Sequence, residues 1–272
     1  TEKEKINVKI ISPNFDLEYG LSTEEIEKRF KKLIRYSNPD KKKRTLFIWP
    51  EGVFSGYTFS ELLTFKKEIE ENFSNKHTII LGVNTFNKKE NKFFNSMLAI
   101  NHDSEILHQY DKIKLVPFGE FMPFVKIIEK IGLKKITEGY GSFSKGNSSK
   151  NMILENLNIL PLICYEIIFP EFIQSLDTKT NLIINISEDA WFGGSIGPHQ
   201  HFAKAIFRAV ESNTILIRAA NKGKSAFISN KGRVIESLSL NQAGNIELKI
   251  PIINNISKNK NDLIFFLLLF TY

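Results

Sequence analysis

Three side chains with the potential for covalent chemistry stand at the ends of apolar, strand-like runs. Cys164 directly follows the run 159–163 and is the only thiol in 272 residues. Glu51 and Lys112 each follow an earlier run of the same kind. Because loops at strand ends often carry catalytic groups, these three junctions predict one assembled site.

Together, the three side chains would suffice for acyl transfer through a thioester. A free thiol has a pKa of about 8.5, so Cys164 needs a neighbouring cation or base to act as a nucleophile. Lys112 could supply the cation and stabilise an oxyanion, and Glu51 could move the proton. Each residue also has a structural alternative. Cys164 could be a small buried apolar group, Glu51 a solvated or capping carboxylate, and Lys112 an exposed charge.

The composition excludes several classes of protein. A chain that is 42% hydrophobic and 25% charged is typical of a globular protein, with one large domain or two small ones. One cysteine excludes an intrachain disulfide framework and any multi-cysteine metal site. His199 and His201 flank Gln200 without an evident third ligand, so we predict neither a metal nor another cofactor.

The net charge of +7 favours an anionic partner, either a membrane surface or a nucleic acid. The sequence contains no zinc-finger spacing and no aromatic-basic RNA-binding pattern, so no nucleic-acid partner is expected. The most basic stretch, residues 28–44, is interpreted as a solvated helix face followed by a polar loop.

Apolar periodicity predicts an α/β fold in which helices cover buried sheets. No domain boundary is evident before about residue 254. The predicted strands are 8–11, 45–49, 78–83, 96–100, 106–110, 159–163, 182–186 and 214–217, with a hairpin at 225–235, and the predicted helices are 23–36, 59–73 and 199–212.

The last residues of the chain predict a separate segment. Residues 263–270 are entirely apolar but too few to cross a bilayer, which takes roughly 20 residues. The polar stretch 254–262 before them is typical of a linker. We therefore predict a domain over 1–253 and the start of a membrane segment over 254–272, with a buried strand or a peripheral anchor as alternatives.

Several segments resemble the carbon–nitrogen hydrolase (nitrilase) superfamily, and most closely its apolipoprotein N-acyltransferase branch. The resemblance covers about residues 7–250, in the order of the family. The segments are Trp49-Pro50-Glu51, Tyr110-Asp111-Lys112, Leu115-Val116-Pro117-Phe118-Gly119-Glu120, Ile163-Cys164-Tyr165-Glu166 and Asp189-Ala190-Trp191-Phe192-Gly193.

The resemblance implies a four-layer α–β–β–α sandwich and assigns roles to individual residues. Glu51 would be the general base, Lys112 the lysine that stabilises the oxyanion, and Cys164 the nucleophile. The supporting residues implied are two carboxylates near the thiol and two aromatic residues that shape the site: Glu120, Glu166, Tyr165 and Trp191.

The resemblance also implies an activity and a location. The expected reaction moves a fatty acyl chain from a phospholipid, by resemblance phosphatidylethanolamine, to the α-amine of the diacylglyceryl-cysteine of an apolipoprotein. The family's domain faces the periplasm from the bacterial inner membrane, between membrane helices. The apolar loop 118–124 would then be a lid for acyl chains or simply part of the core. Two alternatives remain: a soluble amidase of the same superfamily, or a non-enzyme, either an inactive truncated remnant or a membrane-associated binding domain.

Overall fold

The computed structural model describes residues 5–121, 142–148, 150–177 and 179–252. Within these ranges twelve strands form two six-stranded sheets. The strands are β1 Lys5–Ser12, β2 Thr45–Ile48, β3 His77–Asn87, β4 Lys92–Ile100, β5 Ile106–Asp111, β6 Met152–Leu154, β7 Leu157–Ile163, β8 Leu182–Glu188, β9 Leu216–Asn221, β10 Ser225–Ile228, β11 Val234–Leu238 and β12 Gly244–Pro251.

The two sheets are mixed and have similar topologies. The first has the order β12-β1-β2-β3-β4-β5, and the second has the order β11-β10-β9-β8-β7-β6. Three parallel strands lie inside each sheet, β1-β2-β3 and β7-β8-β9, and antiparallel strands flank them. The central strands are nearly continuous apolar runs because they are covered on both faces.

Helices pack on the outer face of each sheet. The first of them, α1 (Thr23–Ser37), is capped by Ser22, whose side chain accepts from the Glu25 backbone while the Glu25 carboxylate accepts from the Ser22 backbone. The helices described are α1 Thr23–Ser37, α2 Phe59–Leu62, α3 Lys66–Asn72, α4 Glu171–Gln174 and α5 Gly197–Ser212, with 3₁₀ turns at Leu63–Phe65, Cys164–Ile168 and Asp189–Phe192.

Three apolar clusters define the layers. One lies between the sheets and includes Ile48 from the first and Ile184 from the second. A second joins the first sheet to α1, α2 and α3, and a third joins the second sheet to α4 and α5. The predicted four-layer α–β–β–α sandwich is therefore confirmed.

Several predicted elements differ in their bounds from those observed; β4, for example, begins at Lys92, four residues before the predicted start. The helix predicted over 59–73 is interrupted by the 3₁₀ turn Leu63–Phe65. Phe59, Leu62 and Phe65 are all buried at a spacing of three residues, which matches the 3₁₀ period better than the α period. The strand predicted over 214–217 begins two residues later, at Leu216.

Strands β6 and β12 were not predicted. Only Ile246 and Ile250 of β12 are buried, so its apolar signal is weak. It nevertheless pairs with β1 over eight residues, an antiparallel contact between segments far apart in sequence. No helix of the described ranges has the length and apolarity to cross a bilayer. The predicted linker and membrane segment, 254–272, lies outside those ranges.

Candidate active site

One end of the sandwich brings the three predicted reactive residues to a single cavity. Strands β2, β5 and β7 carry Glu51, Lys112 and Cys164 just beyond their last residues. All three side chains line a cavity of about 290 Å³ between the two sheets. The first sheet supplies the carboxylate and the ammonium, and the second supplies the thiol.

Glu51 is buried and held at both carboxylate oxygens. Its Oε1 accepts a hydrogen bond from Asn95 Nδ2 at 2.7 Å, and its Oε2 accepts from the Glu188 backbone N–H at 3.0 Å. The backbone of Glu51 also packs directly on Gly82, where an added Cβ would lie 2.7 Å from the Glu51 Cα. The carboxylate orientation is therefore set by both sheets.

Lys112 is almost completely buried between two carboxylates. Its Nζ lies 2.8 Å from Glu120 Oε1 and 3.5 Å from Glu51 Oε1. Burial alone would lower the pKa of Lys112, but the charges of Glu120 and Glu51 outweigh it and raise the pKa above its ordinary value. Lys112 is thus a fixed positive charge in the cavity wall.

Cys164 is half-buried and opens the turn that follows β7. Its backbone has a φ of +50°, in the left-handed region that non-glycine residues rarely occupy. Burial, and then the charge of Glu51, raise the pKa of the Cys164 thiol well above its ordinary range, and Lys112 only partly opposes them. The resting group is therefore a thiol, and a nucleophilic role requires a base.

Glu120 and Glu166 support the site from different positions. Glu120 lines the cavity and accepts from Lys112, from Asn95 Nδ2 and from the Val116 backbone N–H. Glu166 lies behind the cavity and is fully buried. Burial raises the pKa of Glu166, and the charge of Lys112 partly opposes this rise.

Glu166 connects the segment after Lys112 with the turn that carries Cys164. Its carboxylate accepts from the backbone N–H groups of Ile113, Lys114 and Ile163 and from the Tyr110 hydroxyl. A single carboxylate thus links the ends of β5 and β7, on different sheets.

The two predicted aromatic residues lie at the mouth of the cavity. Tyr165 is 40% exposed and Trp191 is 48% exposed, and both line the opening. The Trp191 ring lies 6.3 Å from the ring of Tyr19, on the loop between β1 and α1. Phe118 is also exposed, whereas residues 122–124 of the predicted lid lie outside the described ranges.

Sequence reasoning overlooked Asn95 and Glu188. Asn95 bridges Glu51 and Glu120 through one amide nitrogen. Glu188 lines the cavity, and burial raises its pKa to about 8, with Glu51 and Asp189 adding to the effect. Glu188 ends a strand, so the rule that selected Glu51 would also have selected it. Asn95 lies within β4 and carries no such signal.

His201 belongs to a buried polar cluster, and His199 is exposed. Among the residues that the structure describes, no group of three His, Cys, Asp or Glu side chains could hold a metal ion. The His201 ring contacts the Asp189 carboxylate and the backbone of Cys164.

Sequence comparison relates the chain to known proteins. The profile of the carbon-nitrogen hydrolase family matches residues 17–253. The apolipoprotein N-acyltransferase of Allorhizobium ampelinum is 35% identical over 251 residues, which are 88% of this chain and 47% of that protein. The apolipoprotein N-acyltransferase of Rickettsia typhi is 37% identical over 211 residues, 76% of this chain and 42% of that protein. The chain spans about half the length of these curated relatives.

Solved structures share the fold at low sequence identity. Nit3 of Saccharomyces cerevisiae, a member of branch 10 of the nitrilase superfamily, has a TM-score of 0.65 and 16% identity, with 91% of this chain and 90% of that chain covered. An amidase from Nesterenkonia sp. has a TM-score of 0.67 and 13% identity, with 98% of both chains covered. Fold and family profile agree: the chain belongs to the carbon–nitrogen hydrolase family.

Proposed function

We propose that this chain is the catalytic domain of an apolipoprotein N-acyltransferase. The observation that carries the proposal is the cavity that Glu51, Lys112 and Cys164 line together. The similarity of most of the chain to enzymes of that name supports the choice of reaction. By the resemblance in its motifs, the domain would act at the periplasmic face of the bacterial inner membrane.

The first half-reaction transfers an acyl group to the protein. Glu51 accepts the thiol proton as Cys164 Sγ attacks an ester carbonyl carbon of a phospholipid, by resemblance phosphatidylethanolamine. The Lys112 ammonium stabilises the oxyanion of the tetrahedral intermediate. The ester C–O bond then breaks, Glu51 returns the proton to the departing lysophospholipid oxygen, and a thioester remains on Cys164.

The second half-reaction transfers the acyl group to the acceptor. The α-amine of the diacylglyceryl-cysteine of an apolipoprotein attacks the thioester carbonyl, and Glu51 accepts a proton from the amine. The C–S bond breaks, an amide forms, and the proton returns to the sulfur of Cys164. Because the resting thiol of Cys164 has a raised pKa, proton transfer with Glu51 is part of both steps.

The apolar wall of the cavity would protect the thioester from water until the second substrate binds. Apolar side chains near the reactive groups exclude water, which would otherwise hydrolyse the acyl-enzyme. The residues of this wall are Leu17, Phe54, Val83, Val116 and Phe143.

Intact mass spectrometry tests the proposal. The purified chain is incubated with phosphatidylethanolamine micelles beside Cys164→Ala, the variant without a thiol. We expect a fatty-acyl mass increment on the unmutated chain alone, which neutral hydroxylamine removes. An increment that persists on Cys164→Ala, or that resists hydroxylamine, would contradict the thioester.

An amidase is the second candidate, because the Nesterenkonia amidase matches the fold over nearly the whole of both chains. The same three side chains could hydrolyse a small amide. The identity of 13% to that enzyme, against 35% to an N-acyltransferase, favours acyl transfer. Ammonia release from acetamide without lipid, together with no acyl adduct from micelles, would favour the amidase.

A further inference from the structure

The backbone of Cys164 adopts a conformation that is unfavourable for a residue other than glycine. A φ of +50° places a residue with a Cβ in the left-handed region, at the point where β7 gives way to the 3₁₀ turn Cys164–Ile168. Such a conformation persists only where surrounding groups hold it in place. The groups that hold Cys164 therefore also hold its thiol.

Two buried side chains donate to the carbonyl oxygen of Cys164. His201 Nε2 lies 3.1 Å from this oxygen, and Asn185 Nδ2 lies 3.4 Å from it. His201 comes from α5 and Asn185 from β8, so two different elements converge on one carbonyl. A carbonyl oxygen only accepts hydrogen bonds, so Nε2 of His201 must carry the proton.

A buried ion pair fixes both donors. Arg218 donates to both carboxylate oxygens of Asp189, at 2.9 and 2.8 Å, and to the Asn185 side-chain oxygen. Nδ1 of His201 lies 3.0 Å from Arg218 Nη2 and 3.0 Å from Asp189 Oδ1. All four side chains are buried, and the Ser187 hydroxyl donates to Asp189 as well.

The charge state of His201 agrees with this arrangement. Burial lowers the pKa of His201, and the charge of Arg218 lowers it further, against the opposing effect of Asp189. In the neutral ring, the proton is on Nε2 and the lone pair of Nδ1 accepts from Arg218. Burial would raise the pKa of Asp189, but the charge of Arg218 outweighs it and lowers that pKa, so the carboxylate remains charged.

We propose that His201 is a positioning residue that holds the Cys164 backbone in its left-handed conformation and so keeps the thiol beside Glu51. Asp189 and Arg218 act through it by fixing the ring. The proposal rests on the proposed role of Cys164 as nucleophile. It gives a function to a histidine that neither acid–base chemistry nor metal binding requires.

Alkylation of the single cysteine by iodoacetamide tests the proposal without an acyl substrate. The rate is measured against pH for the unmutated chain, His201→Phe and His201→Gln. Phe removes the donor, whereas a Gln amide nitrogen can occupy the place of Nε2. In His201→Phe we expect the apparent pKa of the thiol to fall by at least about one pH unit, towards the ordinary value of about 8.5, because the thiol leaves its buried position. His201→Gln should retain the original profile.

His199→Phe, on the exposed face of the same helix, is the matched control and should leave the profile unchanged. Should His201→Phe fail to fold by circular dichroism, His201→Asn replaces it, since the shorter amide reproduces Nδ1 but cannot reach the carbonyl. A folded Phe or Asn variant with the original profile, or a Gln variant shifted as far as Phe, would overturn the proposal. If the proposed function fails instead, the unmutated chain forms no acyl adduct, but the expected differences among the alkylation profiles of these variants remain.

Discussion

At the scale of single residues, the carboxylates of this site differ in the hydrogen-bond donors that surround them. Glu166 accepts from three backbone N–H groups and a hydroxyl, and Glu120 accepts from an ammonium, an amide and a backbone N–H. Glu51 has Asn95 and a backbone N–H as nearest donors. The Lys112 ammonium lies 3.5 Å from Glu51 but 2.8 Å from Glu120, so Glu51 is the less tightly paired of these two cavity carboxylates, which suits the proton exchange proposed for it.

The first prediction concerns the buried ammonium. Lys112→Met leaves the carboxylates of Glu51 and Glu120 without their cation, so the free energy of unfolding should fall by about 3 kcal/mol. Urea denaturation followed by circular dichroism measures the change. Lys114→Met is the matched control, because Lys114 pairs with Glu171 at the surface and its loss should change stability by at most about 0.5 kcal/mol. Equal effects of the two variants would contradict the prediction.

The second prediction concerns pH and Glu188. Burial raises the pKa of Glu188 from 4.5 to about 8, so the folded state keeps this proton after the unfolded state has lost it. The stability that this proton contributes is complete below about pH 4.5 and is lost as the pH rises to about 8. In Glu188→Gln the free energy of unfolding should therefore decline less steeply across this window than in the unmutated chain.

Urea denaturation at successive pH values gives the two slopes. Glu236→Gln, at an exposed position of β11, should retain the original slope. An unchanged slope in Glu188→Gln would mean that Glu188 is ionised throughout the window in the folded protein.

Residue types at strand ends predicted much of the cavity, but not the residues behind it. The strand-end rule selected Glu51, Lys112 and Cys164, which line one cavity. His201 was noticed only as a poor metal ligand. It shares a helix face with Ala205 and Ala209, a spacing of four that indicates burial but not the partner of a buried imidazole. That partner depends on the packing of α5 against the turn at Cys164.

At the scale of elements, the sequence predicted best those features that depend on neighbouring residues alone, such as the start of a helix. The start of α1 was predicted at residue 23, and the observed helix begins there, directly after its cap Ser22. Strand β12 could not be predicted in the same way, because its pairing with β1 joins opposite ends of the domain. A weakly apolar strand gains its stability from that partner, which a local window does not contain.

The third prediction follows from the cap of α1. Ser22→Ala removes the side-chain oxygen that accepts from the Glu25 backbone, so the free energy of unfolding should fall by about 1 kcal/mol. Thr23→Ala, one residue later and also exposed, removes no capping acceptor and serves as the control. Urea midpoints of the two variants provide the comparison. A loss in Thr23→Ala as large as that in Ser22→Ala would show that the effect is not due to capping.

At the scale of the whole molecule, the cavity depends on the packing of the two sheets. Glu51 and Lys112 come from the first sheet and Cys164 from the second, and the apolar cluster between the sheets lies directly beneath them. Glu51 also accepts from the backbone of Glu188 across this interface. The relative position of the Glu51 carboxylate and the Cys164 thiol is therefore a property of the sandwich and not of either sheet.

The last prediction tests this dependence. Ile184→Ala removes a fully buried side chain between the sheets and should lower the free energy of unfolding by about 3 kcal/mol. Ile235→Ala, at an exposed position of β11, should have little effect.

Two urea midpoints are compared for each protein. One is the urea concentration at which half of the ellipticity is lost, and the other is that at which half of the molecules have Cys164 alkylated at the rate of a free thiol. Because the position of the thiol depends on both sheets, the two midpoints should coincide in the unmutated chain and move down together in Ile184→Ala. Alkylation at a much lower urea concentration than loss of ellipticity would mean that the end of the sandwich opens locally, and that the site is held by its own hydrogen bonds and not by the core beneath it.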